Sequence, residues 1–154
     1  MLNDFIIPVI ASFFATLGFA LFYNIRGKNI FVGSVCGAVA WAVYLICQNY
    51  SPSMVLPYMV AGIAISVYSE VGAYIFKTPV TVYLILGIIP LVPGLTIFRT
   101  MQSCLNGDIS AFAEGLLTTV KIGGSIVLGI ILMSSFFRFF RSGVVKISEK
   151  RLAK

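Results

Sequence analysis

Thr96, Arg99, Thr100 and Ser103 are spaced to share one face of a helix. They follow on from the segment IIPLVPGLTIF (Ile88 to Phe98), where Pro90, Pro93 and Gly94 interrupt an apolar run. Proline has no backbone N–H, and its ring crowds the carbonyl one turn earlier, here those of Leu86 and Ile89. A helix starting at Val80 is therefore expected to kink or stop near Pro90. A helix that restarts after the break leaves the N–H groups of about Gly94 to Thr96 unpartnered, as the positive end of a helix dipole. Arg99 lies about one turn further on. In transporters, such ends of discontinuous helices hold anionic groups of the substrate. On this reading Pro93, Gly94, Thr96 and Arg99 bind substrate, and Leu95, Phe98, Met101 and Leu105 form an opposite apolar face. A structural kink explains the prolines equally well, because prolines are tolerated in membrane helices. The polar, cationic face is what adds the functional reading.

Further charges lie within apolar runs. Glu70 sits in ISVYSEVGAYIF. A carboxylate there costs roughly 3 kcal/mol on insertion scales, so it should face protein or a cavity. With Lys77, seven positions on, it reads either as a snorkelling pair or as a coupling or gating carboxylate, a role that Pro90 would share as a hinge. Lys121, in LLTTVKIGGS, is seven positions from Glu114. It either snorkels outward or meets a substrate carboxylate, while Glu114 suits the first turn of its helix.

Other chemistry is poorly supplied. There is no histidine, and Cys36, Cys47 and Cys104 form no CxxC pair. Neither a metal site nor a disulfide framework is expected. HExxH, GxSxG and Walker A patterns are missing, so neither an enzyme nor a cofactor site is expected.

The elements that must position these residues are membrane spans. Hydrophobic residues make up 59% of the 154 and charged residues 10%, and mean hydropathy is +1.01. Soluble domains carry about a quarter charged residues. A span needs about 20 apolar residues, and five fit: about 5–23, 30–47, 54–76, a broken one from Val80, and 113–137. The fold expected is an all-α integral membrane protein, with a transmembrane domain over 1–137 and a basic tail over 138–154. The first segment reads as a retained span, since a signal peptide needs a basic n-region and the only early charge is Asp4.

The net charge of +6 does not indicate nucleic acid. Arg26, Lys28, Lys77 and the six basic residues from Arg138 onward all fall on one side, nine of the eleven in total. The positive-inside rule then puts the N-terminus outside and the C-terminus in the cytoplasm of a cell membrane. Gly33/Gly37, Gly62/Ser66, and Gly123, Gly124 and Gly129 mark faces where helix backbones can approach.

GIIPLVPGLTIFRTMQSCLNGD (Gly87 to Asp108) and LGFALFYNIRGKNIFVGSVCGAVAWAVY (Leu17 to Tyr44) resemble the threonine/serine exporter family, in its small, YjjB-like membrane-subunit form. The shared features are the Pro-x-x-Pro-Gly core, the short polar segment after it, NGD, and a glycine-bearing last span. The resemblance implies export of small metabolites, either threonine/serine-type amino acids or dicarboxylates such as succinate. It also implies a larger partner subunit that carries a soluble domain, which this chain lacks. This chain would then be the second half of an inverted-repeat transporter. Two five-span halves in one chain must point opposite ways, which agrees with the charge-based orientation. A non-transporting scaffold and a homo-oligomeric channel-like transporter are the alternatives.

Overall fold

The computed structural model describes the backbone of residues 2–152 and the side chains of residues 3–139. Among them are six α-helices and no strand: α1 (Leu2–Phe22), α2 (Lys28–Tyr50), α3 (Leu56–Phe76), α4 (Val80–Ile88), α5 (Gly94–Leu105) and α6 (Ile109–Leu152). Four helices are long and apolar enough to cross a membrane, and the bent pair of α4 with α5 brings the number to five if it is one span. This is the expected all-α membrane architecture. The last span begins four residues before the expected 113, and its helix runs on through the tail to Leu152. The basic side chains of the tail beyond Phe139 lie outside the described residues.

The break falls where the prolines put it. α4 ends at Ile88, a 3₁₀ turn covers Ile89–Leu91, and Val92 is extended. The two halves of the span meet at a bend of 52°. The turn is tied into the bundle by Leu91, which is fully buried with Cys36, Ala40, Ala61, Ile65, Ile122 and Ile126. The core therefore lies where α2, α3, α6 and the broken segment converge. Hydroxyls enter this apolar interior by donating to carbonyls on their own helix, as Thr16 does to Ser12 O (2.7 Å) and Ser34 to Ile30 O (2.8 Å). In lipid this satisfies a group that water cannot reach.

Small residues set the helix approaches. A Cβ at Gly62 would lie 2.7 Å from the carbonyl oxygen of Ile126, and one at Gly129 would strike Met59 O. The α3–α6 pair thus packs backbone to backbone, and one step along, Ser66 Oγ lies 3.1 Å from Ser134 Oγ. Gly33 receives Leu86 and Gly37 receives Thr16. Gly123 and Gly124 face open space, so they take no part in these contacts. At the opposite end, Tyr83, fully buried, donates to Asn29 Oδ1 (2.7 Å) and fastens α4 to the first turn of α2.

NGD is the turn between α5 and α6. Gly107 N–H donates to Cys104 O and Asp108 N–H to Ser103 O, both at 3.1 Å, with Gly107 at φ +76°. This is the paired C-terminal closure that favours glycine in the left-handed position. Asp108 then caps α6, its Oδ1 accepting from Ala111 N–H (3.0 Å) and the Ser110 hydroxyl (2.8 Å). Those two bonds hold its carboxyl below the usual carboxylate range. Gly107→Ala is expected to lower stability by about 1 kcal/mol, because a Cβ is strained at that φ. Thermal unfolding in detergent checks it.

Candidate functional site

The bend separates the packing partners of the two half-helices. α4 packs against α2 and α3, whereas α5 packs against α6. Thr100 of α5 seats on Gly115 of α6. Between this α5–α6 hairpin and the facing ends of α2 and α3 lies an open cavity of about 830 Å³. That is the size of a small-molecule site.

Each wall is one helix face. α5 presents Thr96, Arg99, Thr100 and Ser103, the full polar face expected from the sequence. α6 presents Ala111, Glu114, Gly115, Thr118 and Ile122, at i, i+3, i+4, i+7 and i+11. Tyr44, Gln48, Ser51, Ser53 and Tyr58 close the α2–α3 side. Arg99 and Glu114 are the charged residues of the lining. Neither is in an ion pair with another of the described residues, so both charges remain available to a ligand.

The lining hydroxyls have a definite polarity. Thr100 donates to Thr96 O (2.7 Å), Ser103 to Arg99 O (3.2 Å) and Thr118 to Glu114 O (2.9 Å). A hydroxyl has one proton and two lone pairs. With the proton committed to the helix, the Ser103 and Thr118 oxygens meet the cavity as acceptors, while the buried Thr100 oxygen packs on Gly115. Behind the α2–α3 wall, Trp41 packs at a tilt against Tyr44 (centroids 5.0 Å apart) and Tyr44 against Tyr58 (4.5 Å). The Trp41 indole N–H is buried without a hydrogen-bond partner.

Of the residues singled out from sequence, the cavity brings together Thr96 and Arg99. Pro93 and Gly94 stand at the start of α5, outside the lining. Gly94 N–H already donates to Val92 O (2.7 Å). The cavity therefore lies along the flank of α5 and not at its N-terminus. Pro90 is half-buried in the 3₁₀ turn and helps make the bend. Lys121 is exposed and outside the lining. It sits ~10 Å further along α6 than Glu114 and ~20° around it, where the cavity has narrowed to Ile122. Glu70 is half-buried on α3, also outside the lining and ~18 Å along the helix from Tyr58. Lys77 leaves the helical register altogether, ending α3 in the left-handed conformation at φ 51°.

Sequence reasoning did not place Glu114, Thr118, Tyr44 or Tyr58 in the site. A signal existed for the first two, since Ala111, Glu114, Gly115 and Thr118 form a helical stripe of small and polar residues. The tyrosines read as ordinary interior aromatics.

No curated protein and no solved structure matches the chain. The family model described as Threonine/Serine exporter, ThrE, matches residues 8–136. That match takes in all but the outer ends of the long apolar helices, the proline break and both charged residues of the cavity, and the chain belongs to the threonine/serine exporter family.

Proposed function

We propose that this chain is the membrane subunit of a secondary exporter for small hydrophilic metabolites, and that the 830 Å³ cavity is its share of the substrate path. The observation that carries this reading is Arg99, an uncompensated cation on the polar wall that the break at Pro90–Pro93 opens. Arg99 anchors a substrate carboxylate, and Thr96, one turn earlier on the same face, adds a polar contact. Family membership supports threonine/serine-type amino acids, and dicarboxylates such as succinate share the carboxylate that Arg99 would hold. The cavity opens at the α2–α3 and α5–α6 connections, the end opposite Arg26, Lys28 and Lys77. The positive-inside rule places that opening on the outer face of a cell membrane, with the N-terminus outside and the C-terminus in the cytoplasm.

A larger membrane subunit with a soluble domain completes the path as the inverted half. Glu70, further along α3 toward the basic end, is assigned coupling or gating. Pro93 and Gly94 set where α5 begins and so aim Arg99.

Proteoliposomes loaded with labelled threonine, serine or succinate test this. Efflux of at least one of the three is expected when the chain is reconstituted with the larger subunit, and of none from the chain alone. Efflux from the chain alone would overturn the need for a partner and make the transporter a homo-oligomer.

A further inference from the structure

We infer that Glu114 is the specificity residue of the cavity: it binds the ammonium group of a zwitterionic substrate and makes the site reject dicarboxylates. The inference rests on the cavity being the substrate site, and goes beyond it by assigning the second charge.

Three observations converge. Glu114 and Arg99 line the same cavity from the two adjoining helices of the hairpin, α6 and α5. They carry opposite charges and are not paired with each other. A ligand that satisfies both must carry an anion and a cation, whereas a dicarboxylate would set one of its charges against Glu114. Like charges set against each other in one binding site cost affinity.

The hydroxyls add an independent argument. Thr100, Ser103 and Thr118 have each committed their proton to a helix carbonyl. Ser103 and Thr118 therefore offer acceptors to the ligand. An ammonium brings three donors and a side-chain hydroxyl brings one more. A succinate dianion brings none, so it would leave these oxygens unmatched and compete with them for the single cation.

The structure also supplies a reporter. Trp41 is the chain's one tryptophan, and it packs against Tyr44, which lines the cavity. Its fluorescence should respond when the cavity fills.

The test is a set of titrations of Trp41 fluorescence on the full chain in lipid nanodiscs, using threonine, N-acetylthreonine and succinate. N-acetylthreonine keeps the carboxylate and hydroxyl but has lost the ammonium. Wild type is expected to bind threonine at least tenfold more tightly than either of the others. In Glu114→Gln, a near-isosteric change, that preference should collapse to about threefold or less, with threonine weakened and succinate unchanged or tightened. A merely structural role for Glu114 would weaken all three ligands together and lower the thermal midpoint, and that result would overturn the proposal. So would an unchanged preference in the variant. A wild-type protein that responds to none of the three ligands, alone or together with the larger subunit, would instead overturn the reading of the cavity itself. The two failures are thus distinguishable.

Discussion

Gly129→Leu is expected to leave almost no folded protein, while Gly124→Leu, five residues earlier on the same helix, leaves yield unchanged. The two glycines look alike in the sequence and differ in what surrounds them. A side chain at 129 would meet the backbone of α3 at Met59 O and, at 3.1 Å, Ile63 N. Backbone cannot rotate aside as a side chain can. Inserting extra carbons into a packed interior typically costs about 1–3 kcal/mol, and more where nothing can yield. The α3–α6 seam would also part at Ser66 and Ser134, exposing two hydroxyls inside the membrane. At Gly124 an added Cβ meets nothing within 4 Å. Gly124→Ala should in fact raise helix stability by about 0.5–1 kcal/mol, since glycine is a poor helix former. The monodisperse fraction on size exclusion, with the thermal midpoint of whatever folds, checks all three variants.

Arg99→Ala is expected to reduce threonine efflux by the reconstituted pair by roughly 30-fold or more, with expression and thermal midpoint unchanged. Arg99 is exposed to the cavity and holds no partner charge among the described residues, so its loss leaves no stranded carboxylate in the fold. The loss falls on the ligand, whose carboxylate no longer finds a cation. Removing one member of a close charge pair at a binding site costs in this range. Arg99→Lys should recover part of the rate, because a lysine keeps the charge but cannot offer the planar, two-pronged donor set. Concentration dependence separates the cases: a binding role raises the half-saturating concentration in both variants. A loss of maximal rate alone would point to a part in the transport step.

The fold was legible because lipid permits few solutions. Long apolar runs can only be helices there, and Pro90 and Pro93 mark the one interruption directly. The polar face of α5 was legible for the same reason, since Thr96, Arg99, Thr100 and Ser103 share a helical phase that survives in the structure. The position of the cavity was not. The sequence shows that α5 restarts after Pro93, but not that the 52° bend swings it onto α6. That swing turns the flank of α5, and not its free N–H groups, toward the cavity. Glu114 and Lys121 differ by only ~20° of phase. Which of them reaches the cavity depends on how deep the cavity extends, a property of four helices together. Gly124 and Gly129 likewise differ only in their neighbours. Lys77 carried no sequence mark of the left-handed turn it adopts, so its match to the face of Glu70 ended with the helix at Phe76.

The proposed function requires that substrate occupy the cavity between the α5–α6 hairpin and the ends of α2 and α3. Its most direct test is substrate protection of a single cysteine at Thr118, with Cys36, Cys47 and Cys104 replaced. Labelling by a membrane-impermeant maleimide applied to intact cells that also express the larger subunit should proceed from outside. Threonine should slow it several-fold, while an equal concentration of N-acetylthreonine leaves the rate unchanged. Labelling that occurs from outside at a rate no candidate substrate alters would contradict the claim, and would leave the bend at Pro90–Pro93 as a feature of packing alone.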